Sequence, residues 1–344
     1  RRVLFRSLVA ALLGTGIADP CMAMFLGSSA ATLLSFFYLL IRYYASIHRV
    51  TPLPMGEMMG RLLKLTVPLG LNDVLRSGLS TLEHLLIPRG LRKSGSSGEA
   101  AIASYGTIGG MVFPVITFPS VILYSLSDLL VPEMARSRAR NRRERIVFLT
   151  DKCLRLSMLF ATAAAGLCFL LGDGLGELLF GSMEAGMYIR VFSPLILILY
   201  VDAITDGMLK GLSQQIHSVR YNTFTSLLDV GMIYVLLPRY GIGGFLAAYT
   251  VSHGVNFFLS LQRLIHVTGY APRFHATVKA AVCCGIALLV LRLWPEGPGI
   301  WWLLLRGSGF LALYLTLIRL IGALEPEDAR WLWSLITKTN TRDS

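Results

Sequence analysis

Three charged residues stand at steps of four in YVDAITDGMLKG: Asp202, Asp206 and Lys210. At 3.6 residues per turn they share one helical face. The run before them, VFSPLILIL, is almost wholly apolar. A second set lies in LGLNDVLRSGLSTLEHLL, where Asn72, Arg76, Ser80 and His84 step by four beside Asp73, Ser77 and Thr81. Thr117, Ser120, Tyr124, Ser127 and Asp128 form a third stripe, and Asn222, Thr225, Ser226 and Asp229 a fourth. Carboxylates and hydroxyls at this spacing can hold a cation. A guanidinium such as that of Arg76 can fork onto a phosphate or carboxylate. Paired aspartates also serve magnesium-diphosphate enzymes, but Arg76 and Lys210 sit where they would oppose the metal. The chain has no GxxxxGK[ST] phosphate loop and no HExxH pair. The residues therefore read as a binding and gating network, not as an enzyme's, and call for no cofactor and no resident metal.

The surroundings decide what such a network costs. Of 344 residues 54% are hydrophobic and only 15% charged, where a soluble domain is near a quarter charged. Mean hydropathy is +0.61. Apolar stretches long enough to cross about 30 Å of hydrocarbon recur. Spans are expected near 20–41, 60–88, 103–131, 147–171, 186–210, 219–237, 241–265, 277–293 and 299–321, with 8–18 as the end of another and 326–337 as an amphipathic tail. The fold class is all-α, a polytopic membrane protein. A charge in mid-membrane costs about 2.5–3.5 kcal/mol on insertion scales. The four stripes must therefore face partners or a watery interior.

Charge placement gives an orientation. MARSRARNRRER (134–145) carries six Arg and one Glu, whereas 172–185 carries Asp173, Glu177 and Glu184 and no Lys or Arg. The first is expected to be cytoplasmic and the second extracytoplasmic. Arg89, Arg92 and Lys93 break this alternation. The net charge of +12 is thus a topology signal, and no nucleic acid is implied. The cysteines, Cys21, Cys153, Cys168, Cys283 and Cys284, lie in or beside apolar segments without metal-ligand spacing.

A weak internal echo sets 12–42 over 237–267, matching Gly16-Ile17 to Gly241-Ile242 and Leu34-Ser35 to Leu259-Ser260. Parallel repeats of this kind build the halves of many transporters. On this reading 60–265 is a complete six-helix bundle, 1–41 is the remnant of an earlier one and 42–59 links them. The chain, with no initiator Met, is then expected to be a fragment. Pro68-Leu69-Gly70, Pro114 and Pro119 are candidate bending points, and LPRYGIGG (237–244) reads as a tight turn.

The stretches NDVLRSGLSTLEHLLIPRGL (72–91), SLSDLLVPE (125–133), DAITDGMLKGLSQQ (202–215) and LLPRYGIGG (236–244) resemble the stage V sporulation protein B group. That group is the polysaccharide-transporter branch of the multidrug/oligosaccharidyl-lipid/polysaccharide exporter superfamily. The resemblance covers most of 60–270. It implies two six-helix bundles around a cavity, with 266–321 as two additional helices and 322–344 as a cytoplasmic tail. It also implies a flippase for polyprenyl-diphosphate-linked saccharides, such as a peptidoglycan or spore polysaccharide precursor, in the bacterial cytoplasmic membrane. The substrate site would then draw on Arg76, Asn72, Asp73, Ser127, Asp128, Asp202, Asp206 and Lys210. Partners would be the lipid-linked saccharide, membrane lipids and a coupling cation, proton or sodium. Two other classes stand beside it: an ion-coupled drug exporter, which would favour an acidic cavity, and a non-transporting scaffold for cell-wall synthesis.

Overall fold

The computed structural model describes residues 20–47, 55–95, 97–272, 274–293, 297, 299–324 and 328. Among these every regular element is helical. The expected segment 8–18 lies outside them, as does the tail 326–337 apart from Asp328. The chain divides into two compact units, Arg1–Val67 and Pro68–Ser344.

In the first unit α1 (Pro20–Ile47) covers the expected span 20–41. Helix α2 (Met55–Lys93) runs through Pro68 and Gly70. The part of α2 from Pro68 onward belongs to the second unit. The remaining elements are α3 (Gly98–Thr107), a π-helical turn (Ile108–Val112), α4 (Phe113–Thr117), α5 (Ser120–Ala139) and α6 (Arg143–Phe180). They are followed by α7 (Met183–Phe192), α8 (Leu195–Gly211), α9 (Gln215–Thr268), α10 (Phe274–Arg292) and α11 (Ile300–Leu320). Among the described residues six helices are long and apolar enough to cross a membrane, or seven with the bent pair α7–α8. The polar helix α2 is not among them.

Prolines locate the breaks. Pro114 has no N–H for a bond to the carbonyl four residues back. The helix widens just before it, and the Phe113 N–H reaches the Ile108 carbonyl. Pro119 precedes α5, and Ser193-Pro194 separates α7 from α8 with a bend of 57°. At the first break the Tyr200 hydroxyl, fully buried, donates to the Ile116 carbonyl at 2.7 Å. This gives the buried hydroxyl an acceptor. Helix α9 is bent back at Gly241, whose φ of 56° and ψ of −135° are not helical. Its arms, 215–240 and 242–268, correspond to the two spans expected on either side of the tight turn.

The core of this unit is built on α6, which packs against α7, α8, α10 and α11. Phe192, Ile196, Ile204, Met208 and Leu209 from α7 and α8 are wholly excluded from solvent. A second cluster joins Leu159 to Cys283, Ala287, Phe310 and Tyr314, fastening α10 and α11 to α6.

The two ends of the unit differ in charge. At one end the α5–α6 turn carries the arginine run, and the Arg138 guanidinium donates to the carbonyl of Leu212 at the end of α8. Nearby in α6, Lys152 and Arg155 each reach Asp328 Oδ1 at 2.8 Å. At the other end Glu184 accepts from Ser104 at 3.1 Å and from Tyr188 at 2.8 Å. The basic and acidic loops thus lie at opposite ends of α6.

Candidate functional site

A polar pocket of about 240 Å³ opens between α2 and the two arms of α9. Helix α2 contributes Arg76, Ser80 and Glu83; the first arm contributes Asn222, Thr225, Ser226 and Asp229. The second arm contributes Tyr249, Ser252, His253 and Asn256. Helical spacing explains each set, because residues three, four and seven apart share a face. The bend at Gly241 then turns the two arms' polar faces toward each other.

Inside the pocket the groups are linked. Ser252 Oγ donates to Asp229 Oδ1 at 2.8 Å. Asn256 Nδ2 donates to Asp202 Oδ2 at 3.0 Å, which ties the pocket to α8. The Thr225 hydroxyl donates within its own helix to the Tyr221 carbonyl at 2.9 Å and stands 3.4 Å from Asn256 Oδ1. Asp202 Oδ1 is buried without a hydrogen-bond partner. The Tyr249 and His253 ring centroids lie 4.2 Å apart, and the Phe113 ring lies 5.1 Å from that of Tyr249. An array of carboxylate, amide and hydroxyl oxygens suits a proton or a hard cation, while Arg76 at the rim offers a donor fork to an anion. Among the described residues no group of three or more His, Cys, Asp or Glu is arranged to hold a metal ion.

The sequence-derived candidates fall into separate groups. Arg76 lines the pocket and Asp202 borders it through Asn256. Asp73 is exposed on α2, and among the described residues no ion pair joins it to Arg76. Asn72 is one turn before Arg76, and its side chain lies outside the described residues. Ser127 is a packing residue: its hydroxyl donates to the Ala203 carbonyl at 3.2 Å where α5 crosses α8. Gly207 permits that crossing, because a Cβ there would fall 1.9 Å from Ser127 Oγ. Asp128 is exposed on α5.

Asp206 and Lys210 turn toward the basic end instead. Lys210 Nζ is 2.7 Å from Asp206 Oδ2, and the Ser218 hydroxyl donates to Asp206 Oδ1. One turn away, Arg263 Nε and Nη2 donate to Gln214 Oε1 at 3.0 and 2.7 Å. His84 contacts Ser80 of its own stripe through Nε2 at 3.4 Å and bonds the Tyr105 hydroxyl of α3 through Nδ1.

Glu83, Tyr249, Ser252, His253 and Asn256 were not among the sequence candidates. Glu83 stands seven residues after Arg76 and so on its face. Tyr249, Ser252, His253 and Asn256 have spacings of three, one and three within an apolar run, which is a helical polar face. The signal was present in both cases.

No family model matches the chain. It is 25% identical over 197 residues to "Stage V sporulation protein B" of Bacillus subtilis, covering 57% of this chain and 37% of that one. It is 23% identical over 176 residues to "Sporulation protein YkvU" of the same organism, covering 51% and 40%. The chain thus matches well under half the length of these curated relatives. Among solved structures, "Lipid II flippase MurJ, inward closed conformation" superposes with a TM-score of 0.64 at 13% identity, over 92% of this chain and 66% of that one. The chain is an all-helical protein with multiple candidate membrane spans, distantly homologous to stage V sporulation protein B and with a MurJ-like fold.

Proposed function

We propose that this protein acts in flipping a polyprenyl-diphosphate-linked saccharide across the cytoplasmic membrane by alternating access. The observation that carries the proposal is the polar pocket set into an apolar bundle of flippase-like fold, with Arg76 at its edge. A cation and several carboxylates are costly inside a membrane, and function is the usual reason for keeping them. Arg76 would engage the diphosphate. Asp229, Asp202 and Asn256 would take the coupling proton or sodium ion, and the unpartnered oxygen of Asp202 suits that role. Asp206 and Lys210, joined to the start of α9 through Ser218, would brace the basic end. That end faces the cytoplasm on the arginine distribution.

Glu83, Asp229 and Asp202 also support a second reading, an ion-coupled exporter of cationic drugs. One experiment separates the two. A bacterium depleted of its lipid-linked-saccharide flippase is supplied with the gene encoding this chain. Restored growth is expected. Failure to grow, together with raised resistance to cationic dyes, would favour the drug exporter.

A further inference from the structure

The three cations that break the charge alternation, Arg89, Arg92 and Lys93, converge with Arg239 on one concavity. It measures about 780 Å³ and lies between the end of α2 and the end of the first arm of α9. Leu86, Ile233, Tyr234 and Pro238 complete its walls, and no carboxylate lines it. Among the described residues none of the four cations is in an ion pair. It stands at the end of the bundle opposite the arginine-rich turn, because α9 starts beside Leu212 and its first arm ends at Gly241. A helix C-terminus favours one or two cations by its dipole. Two helix ends that direct four cations into one hollow concentrate far more charge than the dipoles call for.

A second feature adjoins it. An apolar trough of about 510 Å³ runs along the first arm of α9 and is lined by Phe224, Leu227, Leu228, Gly231, Met232, Val235 and Leu236. Val235 lines both the trough and the basic hollow. Phe224, Leu227 and Val235 are 56%, 61% and 48% exposed. From 224 to 236 the trough covers twelve helical steps, about 18 Å at 1.5 Å per residue. That is close to the depth of one leaflet, about 15 Å.

We infer that the basic hollow and the trough together form a site for one anionic phospholipid of the leaflet at this end, with the phosphate among Arg89, Arg92, Lys93 and Arg239 and one acyl chain along Phe224–Leu236. Guanidinium forks match phosphate oxygens. The length of the trough selects a single-leaflet acyl chain over a much longer polyprenyl chain. The site is separate from the polar pocket, and its existence does not depend on the transport reading. The orientation by arginine distribution assigns it to the outer leaflet.

The test uses the purified full chain in nanodiscs of phosphatidylcholine containing a minor fraction of phosphatidylglycerol, with retained lipid counted by native mass spectrometry. Phosphatidylglycerol should be retained over phosphatidylcholine. The double change Arg89→Gln with Arg239→Gln should weaken retention about a hundredfold, the loss of two charge-assisted pairs at about tenfold each. Arg140→Gln with Arg142→Gln, which removes the same charge elsewhere, should leave it unchanged. Equal loss in both variants would reduce the effect to bulk charge and overturn the site. Preferential retention of undecaprenyl phosphate, or displacement by inorganic phosphate alone, would overturn the phospholipid assignment. The unmodified chain gives an independent readout: phosphatidylglycerol with a diazirine on its acyl chain should label the peptide 224–236. Labelling confined to 274–320 would overturn the proposal even if the variants fail to fold.

Discussion

Asn256 is the residue on which the polar pocket turns. It donates to Asp202 and stands beside Thr225, so it joins α8 to both arms of α9. Asn256→Leu keeps the side chain's bulk but strips the Asp202 carboxylate of its one described donor. An unmet buried polar group costs about 1–3 kcal/mol, more when charged. Thermal unfolding in detergent should therefore occur at lower temperature for Asn256→Leu, and Asp202→Asn combined with it should recover part of the loss. An unchanged unfolding temperature in the single variant would mean that the Asn256–Asp202 contact carries no weight. Arg76 could be singled out from the sequence because a guanidinium deep in a span stands against its background. Asn256 could not, since an amide in an apolar run is common and its partner lies 54 residues away. The Asp202, Asp206 and Lys210 stripe was legible as one face, but not that its members part company. Asp202 goes to the pocket and Asp206 to Ser218, because separate neighbours claim successive turns of α8.

Among the elements, the crossing of α5 and α8 depends on a missing side chain. Gly207→Ala would place a methyl 1.9 Å from Ser127 Oγ and 3.0 Å from its Cβ. Forcing that overlap should cost about 1–3 kcal/mol. Ser127→Ala made together with it removes the nearer clash and should restore part of the stability. If Gly207→Ala unfolds at the wild-type temperature, the two helices are not pressed together as described. Helix ends were largely readable from prolines and glycines: Pro114 and Pro119 mark real breaks, and Gly241 marks the reversal of α9. The break at Ser193-Pro194 was passed over because the apolar run continues across it on both sides. Pro68 was read as a bending point, and helix α2 runs through it. Loss of one backbone bond is tolerated when the flanking turns hold.

For the molecule as a whole, orientation is the first thing to establish. Cys153, Cys168, Cys283 and Cys284 are buried, so a Cys21→Ser background should react little with a thiol reagent. On that background Arg142→Cys should resist an impermeant reagent applied to intact cells, and Met183→Cys, 79% exposed in the acidic loop, should react. Labelling of the first from outside would invert the topology. The all-helical class and the membrane setting were legible from composition, because about 30 Å of hydrocarbon imposes its length on each span. A polar interior was expected from the stripes, but its place between α2 and the two arms of α9 was not, since it arises only when the bend at Gly241 folds two polar faces together. The central claim is that this pocket belongs to a flippase, and transbilayer movement tests it most directly. Proteoliposomes are loaded with a fluorescent polyprenyl-diphosphate-linked saccharide, and the fraction open to an added membrane-impermeant enzyme is followed in time. The full-length protein that carries this chain should bring the inner-leaflet pool to the surface. Arg76→Lys should be slower, and Arg76→Ala should lose most of the rate, tenfold or more if one charge-assisted pair to the diphosphate is lost (~1.4 kcal/mol or above). Rates in wild-type vesicles equal to those in protein-free vesicles, or an Arg76→Ala rate equal to wild type, would contradict the account.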